Sequence, residues 1–324
     1  MRAGAALVLA AAVLLGGCGA SSGPTSGPTS GATSPQAAAP SPADGTTSTP
    51  DGNGSLVPTN LPTGPSTGLS TGLSTTAPTP STRQSPVVGA DISWPQCPKG
   101  MGIPQKRSEG LPLPGAEASF VIIGLTNGPS FYANPCLASQ AAFARGRHLL
   151  AGAYSVVSYP DAATLRRYAT DGPYVGRSRA AALGNAGYQA ALFNVASMKQ
   201  AGLAVPFVWI DVESVPGFAW STDLAANADV VRGAVRGYRA AGLRIGFYST
   251  PSLWSRVVGS LRTGAPEWRA AGDTSRAEAV RRCAPDWSIQ GGTAVLGQWV
   301  EAGRDRSISC PGVDPALTGY FHQY

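Results

Sequence analysis

The stretch Phe207-Val208-Trp209-Ile210-Asp211-Val212-Glu213 constrains this chain more than any other. It begins as an apolar run and ends in two carboxylates separated by one residue. Side chains alternate between the faces of a β-strand, so Asp211 and Glu213 point the same way. Their Cα atoms lie roughly 6.6 Å apart on an extended backbone. Two acids held that close repel, which raises the pKa of one of them. A raised carboxyl beside an ionised one is the usual equipment for breaking a glycosidic bond. Taken alone, the stretch is better read as a strand end meeting solvent; the rest of the chain reverses that.

Strand candidates recur at Val87–Ile92, Ser119–Leu125, Leu149–Val157, Ala204–Asp211 and Leu243–Ser249, with helical patterns between them. One helical stripe is Gly187, Ala191, Val195 and Met198, stopped by Gly202. Another is Val231, Ala234, Tyr238 and Ala241, ending at Gly242 and turning Arg232, Arg236 and Arg239 outward. Alternating strands and helices predict a parallel sheet. Regular units followed by a weaker pattern, with Trp268 and Leu296–Val300 on later strands, predict an α/β fold, an irregular TIM-like (β/α) barrel. Chemistry in such folds gathers at the carboxyl ends of the strands. Asp91 ends the first strand, Asp211 and Glu213 the fourth, and Asp314 falls where a closing strand is expected.

The first 86 residues stand outside that pattern. Arg2 and the apolar run Ala3–Leu15 read as an export signal, too short for a membrane span of about 20 residues. Leu15-Gly16-Gly17-Cys18 resembles the lipobox of bacterial lipoproteins. Residues 1–17 are therefore expected to be a lipoprotein signal peptide, with Cys18 lipidated and anchoring the chain to the extracytoplasmic face of the cell membrane. Residues 19–86 repeat Gly-Pro-Thr-Ser and Ser-Thr-Gly-Leu and hold almost no large apolar side chains. Nothing there offsets the entropy of ordering, so 18–86 is expected to be a lipidated, disordered tether. As a flexible coil it spans roughly 45 Å. Residues 87–324 are the folded domain.

Arg2 and Arg83 balance Asp44 and Asp51, so the net charge of +6 belongs to the domain. A basic exported surface suits anionic wall polymers or lipid head groups; nucleic acid is not an expected partner. Besides Cys18 the chain has Cys97, Cys136, Cys283 and Cys310. Four cysteines allow three connectivities, and Cys97–Cys136 with Cys283–Cys310 is the pairing that links neighbouring loops. No Cys-x-x-Cys pair occurs and the two histidines, His148 and His322, are isolated, so neither a metal nor a cofactor is expected. The domain is expected to be a monomer.

Gly89-Ala90-Asp91-Ile92-Ser93-Trp94-Pro95-Gln96 resembles the opening Gly-x-Asp-Val/Ile-Ser-x-x-Gln of family 25 glycoside hydrolases, the Chalaropsis-type lysozymes. Phe120–Ile123 through Asn127-Gly128, Gly152-Ala153-Tyr154, Ile210–Glu213, Ile245–Ser249, Gln298-Trp299 and Gly312-Val313-Asp314 resemble later points of that family, in order. The resemblance implies a barrel that cleaves the β-1,4 bond after N-acetylmuramic acid in peptidoglycan. Glu213 would give its proton to the leaving oxygen, and Asp211 would stabilise the transition state. Asp91 and Asp314 would line the sugar site. Spacing leaves open whether the substrate's own acetamido group or an enzyme nucleophile attacks.

The chain departs from the family at Thr126-Asn127-Gly128, where Thr-Glu-Gly is usual, and at Tyr154-Ser155-Val156, where Tyr-His-Phe is usual. Asn127 and Tyr154 are expected to bind substrate, although Asn127 cannot take a proton. Trp94 and Trp299 flank the matched motifs and are expected to stack on sugar, Trp209 is assigned to the core, and Trp220 is unassigned. Three readings fit these residues: a lipid-anchored cell-wall glycan hydrolase, a glycan- or wall-binding lipoprotein that keeps the barrel without turnover, and an exported barrel whose ligand is not peptidoglycan.

Overall fold

The computed structural model describes residues 85–128 and 130–324. The expected signal peptide, the expected lipidation site Cys18 and nearly all of the expected tether lie outside the described residues. Seven strands follow in parallel order: β1 (Val88–Ile92), β2 (Phe120–Gly124), β3 (Leu150–Val156), β4 (Phe207–Asp211), β5 (Arg244–Ser249), β6 (Glu267–Asp273) and β7 (Ala294–Glu301). An eighth, β8 (Arg304–Ser309), runs antiparallel to both β7 and β1 and closes the barrel between them. The five strands expected from the alternation all form; β1, β4 and β5 are trimmed at the start and β2 and β3 at both ends.

The helices are α1 (Leu137–Gly146), α2 (Ala162–Tyr168), α3 (Arg179–Gln200), α4 (Leu224–Ala240), α5 (Pro251–Val258) and α6 (Arg276–Arg281). Their starts follow from local chemistry. Ser178, Asp223 and Thr250 each accept a hydrogen bond from a first-turn N–H of α3, α4 or α5. Gly202 and Gly242, at φ +65° and +81°, turn the chain back after α3 and α4. Those two helices touch backbone to backbone: a Cβ on Gly233 would stand 2.1 Å from the Gly184 carbonyl oxygen, so only glycine fits. No α-helix joins β1 to β2; a single 3-10 turn, Trp94–Gln96, is followed by a long loop over residues 97–118, which makes the barrel irregular.

All five residues of β4 are buried because both faces are covered. Val208 and Ile210 face outward into the layer shared with α1, α3, α4 and α5. Phe207 and Trp209 face inward and pack with Phe120, Ile122, Trp268 and Leu296. Trp209 is thus core, as its apolar strand suggests. Leu317 and Phe321, from the C-terminal segment, plug the floor of this interior. That segment ends in β9 (His322–Gln323), which pairs with the first residues of β3.

Two features brace the barrel. Glu267 and Arg269, both on β6, form a buried ion pair at 2.7 Å. Glu267 also accepts hydrogen bonds from the backbone of Ile289, Gln290 and Gly292, and Arg269 donates to the carbonyls of Arg282 and Ala284. Two disulfides form, Cys97–Cys136 and Cys283–Cys310, the pairing expected from the loops they join.

Candidate active site

The carboxyl ends of β1 and β4 and the start of β8 meet at one mouth. The cause is topological: β8 is reversed, so its first residues lie beside the last residues of β1 and β7. Ala90 pairs with Arg306, and Glu301 pairs with Arg304. Asp91, Asp211, Glu213 and Asp305 converge there. Asp211 is inward because it is two residues beyond Trp209 on the same strand face.

The β4 terminus is held rigidly. The Val212 N–H donates to the Tyr248 carbonyl at 3.0 Å, and the Ser249 hydroxyl donates to the Val212 carbonyl at 2.7 Å. The Trp220 indole N–H donates to the Glu213 carbonyl at 2.8 Å. Trp220 is therefore a brace for the backbone that carries Glu213. Asp91 accepts a hydrogen bond from the Ser307 hydroxyl at 3.3 Å. Gln298 donates to Asp305 at 3.1 Å and accepts from the Tyr248 phenol at 3.1 Å. One carboxylate oxygen of Asp211 is buried without a hydrogen-bond partner among the described residues.

Burial and mutual repulsion set the protonation of this group. Burial pushes Asp91 well above the usual carboxylate range, Asp305 adds to this, and the Ser307 hydrogen bond opposes it. Asp211 is raised well above that range by burial, then by Glu213 and Asp91. Asp305 is raised by burial to about 6. Glu213, half-buried at the rim, is pushed up to about 7 by burial and Asp305, with Lys106 acting the other way. A carboxyl that holds its proton to about neutral pH is a competent general acid. Among the described residues, no group of three or more His, Cys, Asp or Glu is placed to hold a metal ion.

Other expected residues fall in different places. Tyr154 projects into the barrel, 5.9 Å from Trp268, with Asp91 and Asp211 near enough to raise its phenol further after burial. Trp94 is half-buried in the turn that follows β1, at the mouth. Asp314 is not at the mouth. Because β8 is antiparallel, it exits at the opposite end, where Ser309 bonds the Val87 carbonyl at 2.9 Å. Asp314 is exposed there and caps a turn by accepting from the Ala316 N–H at 3.0 Å. Trp299 does not reach the groove either. Gln298 faces inward, so its neighbour faces outward, buried against Ala271, Ala279 and Ile308. Asn127 is buried with its amide committed to the long loop, accepting from Ile103 N–H at 2.7 Å and donating to the Lys106 carbonyl at 3.0 Å. It is a loop clamp, not a sugar ligand. Ser155, at the other departure, faces outward and accepts from the Tyr238 hydroxyl at 2.7 Å, so it does not shape the groove.

Asp305, Gln298, Tyr248 and Lys106 are the site residues missed from sequence. Asp305 had a signal. Ala302-Gly303, both at positive φ, form the two-residue turn of a hairpin between alternating segments. Reading that hairpin reverses the last strand and brings Asp305 to the mouth in place of Asp314.

Residues 177–279 match the protein-family model described as Lysozyme-like protein 1. "Probable GH family 25 lysozyme 3" of Dictyostelium discoideum is 34% identical over 103 residues, covering 31% of this chain and 19% of that protein. "Counting factor 50" of the same organism is 37% identical over 78 residues, 24% of this chain and 25% of its own length. The chain therefore matches only a fifth to a quarter of the length of these relatives. Among solved structures, a family GH25 lysozyme from Aspergillus fumigatus aligns with a TM-score of 0.46 at 20% identity, over 73% of this chain and 99% of that one. The bacterial lysozyme from Streptomyces coelicolor aligns with a TM-score of 0.45 at 19% identity, over 72% of this chain and 95% of that one.

Proposed function

We propose that the GH25-like domain of this chain is a muramidase-type hydrolase that cleaves the β-1,4 bond after N-acetylmuramic acid in peptidoglycan. The observation that carries the reading is the convergence of Asp91, Asp211, Glu213 and Asp305 at the carboxyl end of the barrel. Glu213, on the rim, gives its proton to the glycosidic oxygen as the bond to the sugar breaks. The positive charge that develops on the sugar would be stabilised by the Asp211 carboxylate beneath it, and that charge opposes the burial and repulsion that raise the Asp211 pKa. The partnerless oxygen of Asp211 is free to accept a hydrogen bond from the substrate, its acetamido N–H included.

The test is release of reducing ends from purified peptidoglycan. Glu213→Gln keeps the shape of the side chain and cannot give up a proton. Its turnover should fall about 10²–10⁴-fold while glycan binding persists. Wild-type protein that binds peptidoglycan and releases no reducing ends would establish the non-catalytic reading.

The N-terminal region completes the proposal. Lipid on Cys18 would hold the protein at the extracytoplasmic face of the membrane, and the Ser/Thr/Pro/Gly-rich segment would lift the barrel into the wall. The sequence pattern alone supports this part.

A further inference from the structure

The long loop between β1 and β2 is built to present one cation. Its base is tied to α1 by Cys97–Cys136. Within it, the Met101 N–H donates to the Ser108 hydroxyl at 2.8 Å, and Arg107 donates to the Gly100 and Gly102 carbonyls at 3.0 and 2.7 Å. Asn127 then clamps the turn Ile103–Lys106 from both ends. The product is a half-buried Lys106 whose ammonium stands 5.8 Å from the centre of the Trp94 ring. Its stem passes close to Gly128, where an added Cβ would come within 3.2 Å. Among the described residues Lys106 has no ion-pair partner. So an ammonium with no ion-pair partner among the described residues lies over one face of Trp94 on the rim of an acidic mouth. A neutral sugar needs no such cation.

We propose that Lys106 is a specificity-determining residue, its ammonium holding a carboxylate of the glycan while Trp94 faces the neighbouring sugar ring. The inference rests on the muramidase reading for the kind of glycan. In such a strand the carboxylate has two sources. It is the lactyl carboxylate of the muramoyl sugar where the peptide stem has been removed, or a carboxylate of the stem where it remains. The same geometry accounts for Asn127: that position fastens the loop that carries the cation.

Binding tests the proposal apart from catalysis. Full-length Glu213→Gln protein, with Lys106 intact, changed to Met or changed to Arg, is titrated with three probes. These are stem-free peptidoglycan strands, intact peptidoglycan fragments, and a neutral N-acetylglucosamine oligomer. Lys106→Met should cut the preference for a carboxylate-bearing probe over the neutral one by about tenfold or more, and Lys106→Arg should restore most of it. A loss confined to stem-free strands assigns the lactyl carboxylate, and one confined to intact fragments assigns the stem. Equal losses on all three probes, or none, overturn the proposal. Because no turnover is read, a wild-type domain without hydrolase activity defeats the muramidase reading and leaves this result standing. A second readout is the protonation of Glu213 by carboxyl NMR in otherwise wild-type protein. Glu213 is faced by Asp211 from the end of β4, Asp305 from β8, Tyr248 from β5 and Lys106 from the loop. Lys106 is the one cation among them, so Lys106→Met should raise the pH at which Glu213 deprotonates. An unmoved titration overturns the placement of the ammonium at the mouth.

Discussion

At the scale of single residues, the site is a problem in proton placement. Four carboxyls share one mouth, and one of them, Glu213, is pushed up to about 7. Hydrolysis needs it protonated, so activity should fall as pH rises through about 7. Asp305 repels the ionised form of Glu213 and so raises its pKa. Asp305→Asn removes that charge, and the alkaline limb of the pH–rate profile should move to lower pH. A limb that stays in place would show that Asp305 does not act on Glu213. Glu213 and Asp211 were legible in the sequence because a strand's two-residue period puts them on one face. Asn127 was misread for a physical reason: a buried amide is as able to clamp a backbone turn as to bind a sugar hydroxyl, and its local sequence is the same either way.

At the scale of elements, β6 shows how the barrel is braced. Glu267 and Arg269 are buried and answered by backbone groups of the β6–β7 connection. Removing one partner leaves an uncompensated buried charge. Glu267→Ala should therefore destabilise the domain by about 3–5 kcal/mol, measured by urea unfolding. A loss below about 1 kcal/mol would mean that water satisfies Arg269 instead. The helical stripes were legible from periodicity, since Gly187, Ala191, Val195 and Met198 do line the buried face of α3. The pair at β7 was not: Gln298 and Trp299 are adjacent, and choosing which faces inward requires the strand's orientation in the barrel.

For the whole molecule, the raised carboxyls make a statement about stability. Asp305 and Glu213 have higher pKa values folded, about 6 and about 7, than their ordinary values of 3.8 and 4.5. Folding therefore favours their protonated forms. That stabilisation is complete below about pH 4 and is lost as pH rises through about 6 for Asp305 and about 7 for Glu213. Stability should decline between about pH 4 and about pH 7, and Asp305→Asn should flatten the decline by about 2–3 kcal/mol. Chemical denaturation across that range checks it; an unchanged slope in the variant would rule out a strained Asp305. The arrangement of the full chain carries another test. If Cys18 is lipidated, Cys18→Ala should move the protein from the membrane fraction to the soluble fraction, and unchanged partitioning would exclude the anchor.

The sequence by itself determined the parallel β/α order, the two packing helices and the pair of acids at the end of β4, and it favoured the disulfide pairing that forms. All of these follow from short-range periodicity or from the few ways that loops can meet. Only the tertiary structure decided which end of the barrel each later residue occupies. The reversal of β8 puts Asp305 at the mouth and sends Asp314 to the floor, and the facing of β7 turns Trp299 under α6. It also brought Lys106, from a loop without regular structure, to the rim of the acids. Such placements depend on how the sheet closes and how a loop is fastened, and no local pattern of residue types records either.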